Sequence, residues 1–265
     1  METPATDSLA KQTNVIAIIQ ARRMASRLPD KVLLDLGGEP MLVRVMERVR
    51  RARRLDGVVV ATTTDPSDDA IEALCRQRGY ACTRGSMHDV LDRYYQAARQ
   101  FQADVIVRLT ADCPLIDPQV IDETVDACLE SHADFAANRL PPPWRRTYPI
   151  GLDTEVCTFA ALETAWKEAD QPHQREHVMP FFYEHPERFR IRLVDCALDL
   201  GSLRWTVDTP EDLQLLRRIY AHFGGRDDFS WLEVLELVQR QPELMEINAN
   251  VQHKDYREVD SRRQL

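Results

Sequence analysis

Three short apolar runs, NVIAIIQ (14–20), GVVVATT (57–63) and DVIVRLTAD (104–112), are separated by segments with helical spacing. Apolar runs this continuous, rich in β-branched residues, are expected of strands buried on both faces. Between them, PMLVRVMERVRRA (40–52) spaces Met41, Val45 and Val49 as on one helical face, with Pro40 at the first turn. PSDDAIEALCRQRG (66–79) carries acidic residues early and Gly79 at its end, as a helix does. A short strand at 81–84, a helix over 89–102 and a helix over 117–132 continue the rhythm, the last striped by Ile121, Val125, Cys128 and Leu129. This alternation predicts an α/β fold: a mostly parallel, Rossmann-like sheet with helices on both faces.

The pattern changes after about residue 133. DFAANRL, the loop PPPWRRTYP and LDTEVCTF read as strands with a longer excursion. Helices over 160–169 and 174–184 follow, then FRIRLVDCA, LRWTVD and the helix PEDLQLLRRIYAHF. We expect a small mixed lobe here, on a main domain spanning 14–225. Gly224-Gly225 is the best linker, and WLEVLELVQR opens a C-terminal helical extension and tail over 226–265. Residues 1–13 are polar and read as a disordered leader.

The chain has 265 residues and a formal net charge of −9, which argues against a general nucleic-acid binder. No apolar run is long enough to span a membrane. The six cysteines form no C-x-x-C pair, so a reducing, cytoplasmic setting is expected, without disulfides or structural zinc.

Against this acidic background, QARRMASRLPDK (20–31) concentrates Arg22, Arg23, Arg27 and Lys31 just after the first strand. In parallel α/β sheets ligands sit at the carboxyl ends of strands. Cationic side chains and backbone N–H groups there grip phosphate oxygens, and Ser26 adds a hydroxyl. A solvated basic turn is the alternative. Two aspartates share another layout: RLTADCPLIDP (108–118) and RWTVDTPEDL (204–213) each run from a strand through Asp112 or Asp208 to a proline-led helix. Each could cap its helix, or the two could hold Mg²⁺ on a triphosphate, since Mg²⁺ favours one or two carboxylates plus substrate phosphates. Asp117 reads as a cap.

The basic loop resembles the A-R-x-G-S-x-R-L-P-x-K signature of the cytidylyltransferases that make CMP-activated sugars. That group includes the 3-deoxy-manno-octulosonate and acylneuraminate enzymes, and the best match is the spore-coat polysaccharide branch. R-x-T-x-D-x-P-L-I-D-P and W-T-V-D-T-P-E-D-L are present nearly unchanged. The resemblance spans residues 14 to 255 and includes PELMEINANVQHK. It implies a fold of the nucleotide-diphospho-sugar transferase type. It also implies a Mg²⁺-dependent transfer of CMP from CTP to a sugar, sugar acid or related phosphate, with Arg22, Lys31, Asp112 and Asp208 catalytic. Asp112 and Asp208 become the metal ligands. Gln20, Ala21, Arg22, Ser26, Arg27, Lys31 and Asp112 are implied on the nucleotide, with Ala61, Thr62, Arg84, Gly85 and Ser86 around the base. RTYPIGLDTEV and QREHVMPFF place Arg146, Tyr148, Asp153, Glu155, Arg175, Glu176 and His177 on the acceptor side. A homodimer is implied, with the C-terminal segment as contact. Met24, Ala25 and Asp30 depart from the signature: Met24 and Ala25 imply a weakened or rebuilt phosphate contact, and Asp30 brings a negative charge near the site.

Two rival readings are a glycosyltransferase of the same fold and a catalytically weakened nucleotide- or sugar-binding homologue. The first usually shows Asp-x-Asp after a strand, and none follows 104–112. HQREH (173–177) also matches the H-x-x-E-H zinc-peptidase pattern, but Pro172 places His173 at or before the helix start, and no further ligand motif accompanies it.

Overall fold

A computed structural model describes residues 13–252 and 257–259. The leader expected over 1–13 lies, apart from Thr13, outside the described residues. In chain order the elements are β1 (Val15–Gln20), α1 (Met41–Val49), β2 (Gly57–Thr63), α2 (Asp69–Arg78), β3 (Ala81–Gly85), α3 (Val90–Gln100), β4 (Val105–Thr110) and α4 (Pro118–Glu130). They continue with β5 (Phe135–Ala137), β6 (Glu155–Thr158), α5 (Phe159–Glu168), α6 (Pro172–His177), α7 (Pro180–Glu184) and β7 (Ile191–Leu193). Last come α8 (Pro210–His222), α9 (Trp231–Arg240) and α10 (Glu243–Glu246).

The seven strands form one sheet in the order β3-β2-β1-β4-β6-β5-β7. β1 is parallel to both β2 and β4, β2 is parallel to β3, and β5 is parallel to β7. β6 runs against β4 and β5. The first strand shows why its run lacks polar alternation. Val15, Ala17 and Ile19 join the core under α1, α2 and α4, while Ile16 and Ile18 join the core under α3, α5 and α7. A third core gathers Trp205, Val207 and the apolar faces of α8 and α9, so the C-terminal extension packs into the body of the protein.

Two local expectations change. LRWTVD, expected as a strand, makes only an isolated bridge from Arg204 to Ile150. Gly151, at φ 108°, sits so close to this segment that an added Cβ would lie 2.7 Å from the Trp205 carbonyl carbon and the Thr206 nitrogen. The close crossing holds Trp205 in place but gives no room for a ladder. The helix expected over 174–184 is two helices, because Val178 adopts φ 73° between α6 and α7. Among the described residues no helix is long and apolar enough to cross a membrane.

Candidate active site

The loop after β1 folds around Arg23. Its carbonyl accepts from the Ala25 and Asp30 N–H groups, its own N–H donates to Asp68, and its Nε donates to Asp30 at 2.7 Å. Asp30 takes the left-handed conformation, φ 61°, the place a glycine would serve, and its charge is spent on Arg23. Met24 is 42% exposed and is not part of the cleft wall, whereas Ala25 is. The side chains that do reach the cleft are Arg22, Ser26, Arg27 and, from the following 3₁₀ turn, Lys31.

Asp112 lies just beyond β4. Its backbone carbonyl accepts from the Val207 N–H at 2.9 Å and from the Thr206 hydroxyl at 3.1 Å, so residues 206–208 run beside it. Helix α8 is capped by Thr209, in a capping box with Asp212, and α4 is capped by Asp117. Neither cap uses Asp112 or Asp208, which leaves both carboxylates for the cleft.

Lys31 joins them. Its ammonium donates to Asp112 Oδ2 at 2.7 Å, Asp208 Oδ1 at 2.9 Å and the Val207 carbonyl at 2.8 Å. Asp208 Oδ2 pairs with Arg27 at 2.9 Å and Arg204 at 2.7 Å. Burial disfavours the Lys31 ammonium, but Asp112 and Asp208 outweigh it and raise its pKa. Burial likewise disfavours the Asp208 carboxylate, and Lys31, Arg27 and Arg204 outweigh it and hold its pKa far below the usual range. The two carboxylates retain exposed surface on the cleft, with side chains 26% and 21% exposed. Hard oxygen donors, partly open and already drawn toward one cation, fit a divalent ion that keeps phosphate oxygens as its other ligands.

The opposite wall is a network of ion pairs. Arg108 pairs with Glu155, its register partner on β6, and Arg139 lies 3.6 Å from Asp153 and 3.8 Å from Glu155. Arg22 lies 3.9 Å from Glu176. His177 Nε2 donates to the Glu258 carbonyl at 2.9 Å, and burial pushes the imidazole below its ordinary pKa. The cavity between the walls measures about 320 Å³.

The cleft therefore gathers Gln20, Ala21, Arg22, Ser26, Arg27, Lys31 and Asp112 from the nucleotide-side expectations, with Asp208 as the second carboxylate. From the acceptor side it gathers Asp153, Glu155, Glu176 and His177. Arg146 stands outside the cleft wall, in a two-pronged pair with Asp153. Tyr148 is buried with its hydroxyl on Glu123, and Arg175 grips Asp89 and the Trp166 carbonyl; neither lines the cleft. Ala61, Thr62, Arg84, Gly85 and Ser86 also lie outside the wall. The Arg84 guanidinium is taken up by Glu72, Asp69 and the carbonyls of Thr63 and Asp65. Pro172 opens α6 rather than excluding His173 from it, so both histidines of HQREH are helical. They diverge all the same: His173 lies 2.8 Å from Glu184, and His177 meets Glu258.

Sequence reasoning missed Arg93, Arg108, Arg139 and Tyr183, all on the cleft wall. An arginine inside the apolar run VIVRLT was the available signal for Arg108.

The sequence matches the cytidylyltransferase family over residues 16–236. It is 38% identical over 248 residues to an uncharacterized protein of Methanocaldococcus jannaschii, covering 93% of this chain and 99% of that one. It is 31% identical over 237 residues to the spore coat polysaccharide biosynthesis protein SpsF of Bacillus subtilis, covering 87% and 96%. Its fold matches the structure of a cytidylyltransferase from Leptospira borgpetersenii with a TM-score of 0.83 at 32% identity, covering 92% of this chain and all of that one. A basic loop, a lysine and two aspartates converge on one cleft in a chain matched along nearly its whole length: this protein belongs to the cytidylyltransferase family.

Proposed function

We propose that the protein transfers CMP from CTP to an oxygen of a sugar, sugar acid or related phosphate, releasing pyrophosphate, in the making of a surface polysaccharide or glycoconjugate. The observation that carries this is the meeting of Lys31 with Asp112 and Asp208 beside Arg22 and Arg27. The likeness to a polysaccharide biosynthesis protein supports a sugar-derived acceptor. A homodimer and a cytoplasmic setting belong to the same reading by kinship.

In the reaction the acceptor oxygen forms a bond to the α-phosphorus. The bond from that phosphorus to the bridging oxygen breaks, and pyrophosphate leaves with the electron pair while the hydroxyl proton is released. Such transfers depend mainly on positioning and charge stabilisation. Arg22, Arg27 and Lys31 bind the triphosphate and offset the charge that accumulates on the leaving group. Asp112 and Asp208 would hold Mg²⁺, which supplies Lewis-acid polarisation of phosphate oxygens when bound. Arg204 fixes the Asp208 carboxylate, and Thr206 and Val207 fix the backbone of Asp112.

A panel of nucleoside triphosphates is incubated with Mg²⁺ and with sugar acids or phosphorylated sugars, and pyrophosphate is measured. CTP with one acceptor class is expected to release pyrophosphate and give a CMP-linked product. Asp112→Ala and Asp208→Ala should each lower the rate by about 100-fold or more. Release that persists unchanged in both variants defeats the metal assignment. Consumption of a nucleotide sugar without free pyrophosphate favours glycosyl transfer instead.

A further inference from the structure

Among the described residues, the cleft holds a cationic side chain that the ion-pair networks do not absorb. Arg93 lies on α3 and lines the cleft, yet the residue is only 3% exposed. Its Nε and Nη1 atoms are buried and have no hydrogen-bond partner. Arg27 and Lys31 pair with Asp208, Arg108 with Glu155, and Arg139 with Asp153 and Glu155. Buried polar groups are nearly always hydrogen-bonded, and an exception at a cleft signals a partner that arrives from outside.

The fold explains why the guanidinium stays there. Long side chains on a helix lean toward its N-terminus, and α3 follows directly on the carboxyl end of β3. Arg93 is in the first turns of α3 and is thereby turned toward the rim where the cleft opens. Gly85, at the end of β3, makes room for its stem: a Cβ there would sit 3.3 Å from Arg93 Cγ and 3.5 Å from its Cβ. Burial lowers the pKa of Arg93 to about 10, and Arg22 is among the charges that lower it further. The group is therefore cationic at neutral pH and shares its corner of the cleft with Arg22.

We propose that Arg93 is a phosphate-binding residue, which completes its hydrogen bonds on oxygens of the nucleoside triphosphate alongside Arg22. Arg93 faces the Arg22 charge with two buried N–H groups unpartnered, and an incoming phosphate answers them. A planar guanidinium with two open N–H directions suits the two-pronged grip on a phosphate. The inference rests on the nucleotidyl-transfer reading for the identity of the ligand, although the anion site itself is defined by Arg93.

Binding of CTP, cytidine and inorganic tripolyphosphate, each with magnesium chloride, is measured by calorimetry on the wild type, Arg93→Met and Arg93→Lys. The methionine keeps the buried stem and removes the charge; the lysine keeps the charge without the fork. For Arg93→Met the Kd for CTP and for tripolyphosphate should rise by about 10- to 100-fold, as for a lost charge-assisted hydrogen bond, while that for cytidine stays unchanged. Arg93→Lys should fall between the two, and it carries the comparison if the methionine variant does not fold. Unchanged CTP and tripolyphosphate affinity in a folded variant overturns the proposal. So does a loss confined to the KM of the acceptor, which would move the anion to the other substrate. A wild type that binds tripolyphosphate but not CTP defeats the cytidylyl reading and leaves the role of Arg93 standing.

Discussion

Arg108 and Glu155 are register partners across the antiparallel seam of the sheet, and they form a buried ion pair in the wall of the cleft. Glu155 also faces Arg139, so one carboxylate answers two guanidinium groups. Breaking such a pair leaves uncompensated charge in a desolvated place. Glu155→Gln should therefore destabilise the protein by about 3–5 kcal/mol, read from the urea midpoint. A variant as stable as the wild type would show that water reaches both arginines.

Asp208 predicts a dependence on acid. Its pKa in the folded protein lies below the ordinary value of about 3.9, so the unfolded chain takes up the proton more readily as pH falls. The stability contributed by Asp208 is complete above about pH 4 and is lost as pH falls below that toward its folded pKa. Denaturant midpoints of the wild type and Asp208→Asn should be separated near neutrality and converge on acidification. A separation that is constant from pH 6 to pH 3 removes Asp208 from the acid response.

Asn248, from the segment after α10, donates to the Arg204 carbonyl at 3.1 Å and to Asp212 Oδ1 at 2.9 Å. It ties the C-terminal segment to the residues that orient Asp208. Asn248→Ala should cost about 1–2 kcal/mol and lower the Tm by roughly 2–6 °C. Equal melting curves would reduce Asn248 to a passive filler.

The parallel half of the sheet was legible because its strands are buried on both faces, which leaves a continuous apolar mark in the chain. Lys31, Asp112 and Asp208 were legible because each ends a strand or starts a turn within a distinctive motif. Arg93 was not: at helical spacing it reads as an ordinary solvent-facing arginine, and its burial depends on Gly85 of the neighbouring strand. Arg84, Tyr148 and Arg175 sit in motifs that pointed to the ligand, yet their polar groups are engaged by Glu72, Glu123 and Asp89. Those engagements cross 12, 25 and 86 residues of chain, separations over which local pattern carries no information. LRWTVD had the composition of a strand, and only the crossing at Gly151 decided otherwise.

The reversed direction of β6 has an architectural result. The chain enters this strand at the end where β4 leaves off, so Arg139, Ile150 and Asp153, from the long stretch 138–154 before it, join Asp112 on the cleft without contributing to the parallel strands. Changes at these three positions would alter what the cleft admits from a segment outside β1 to β4. One side of the cleft is thus set by the parallel strands and the other by a segment that lies outside them.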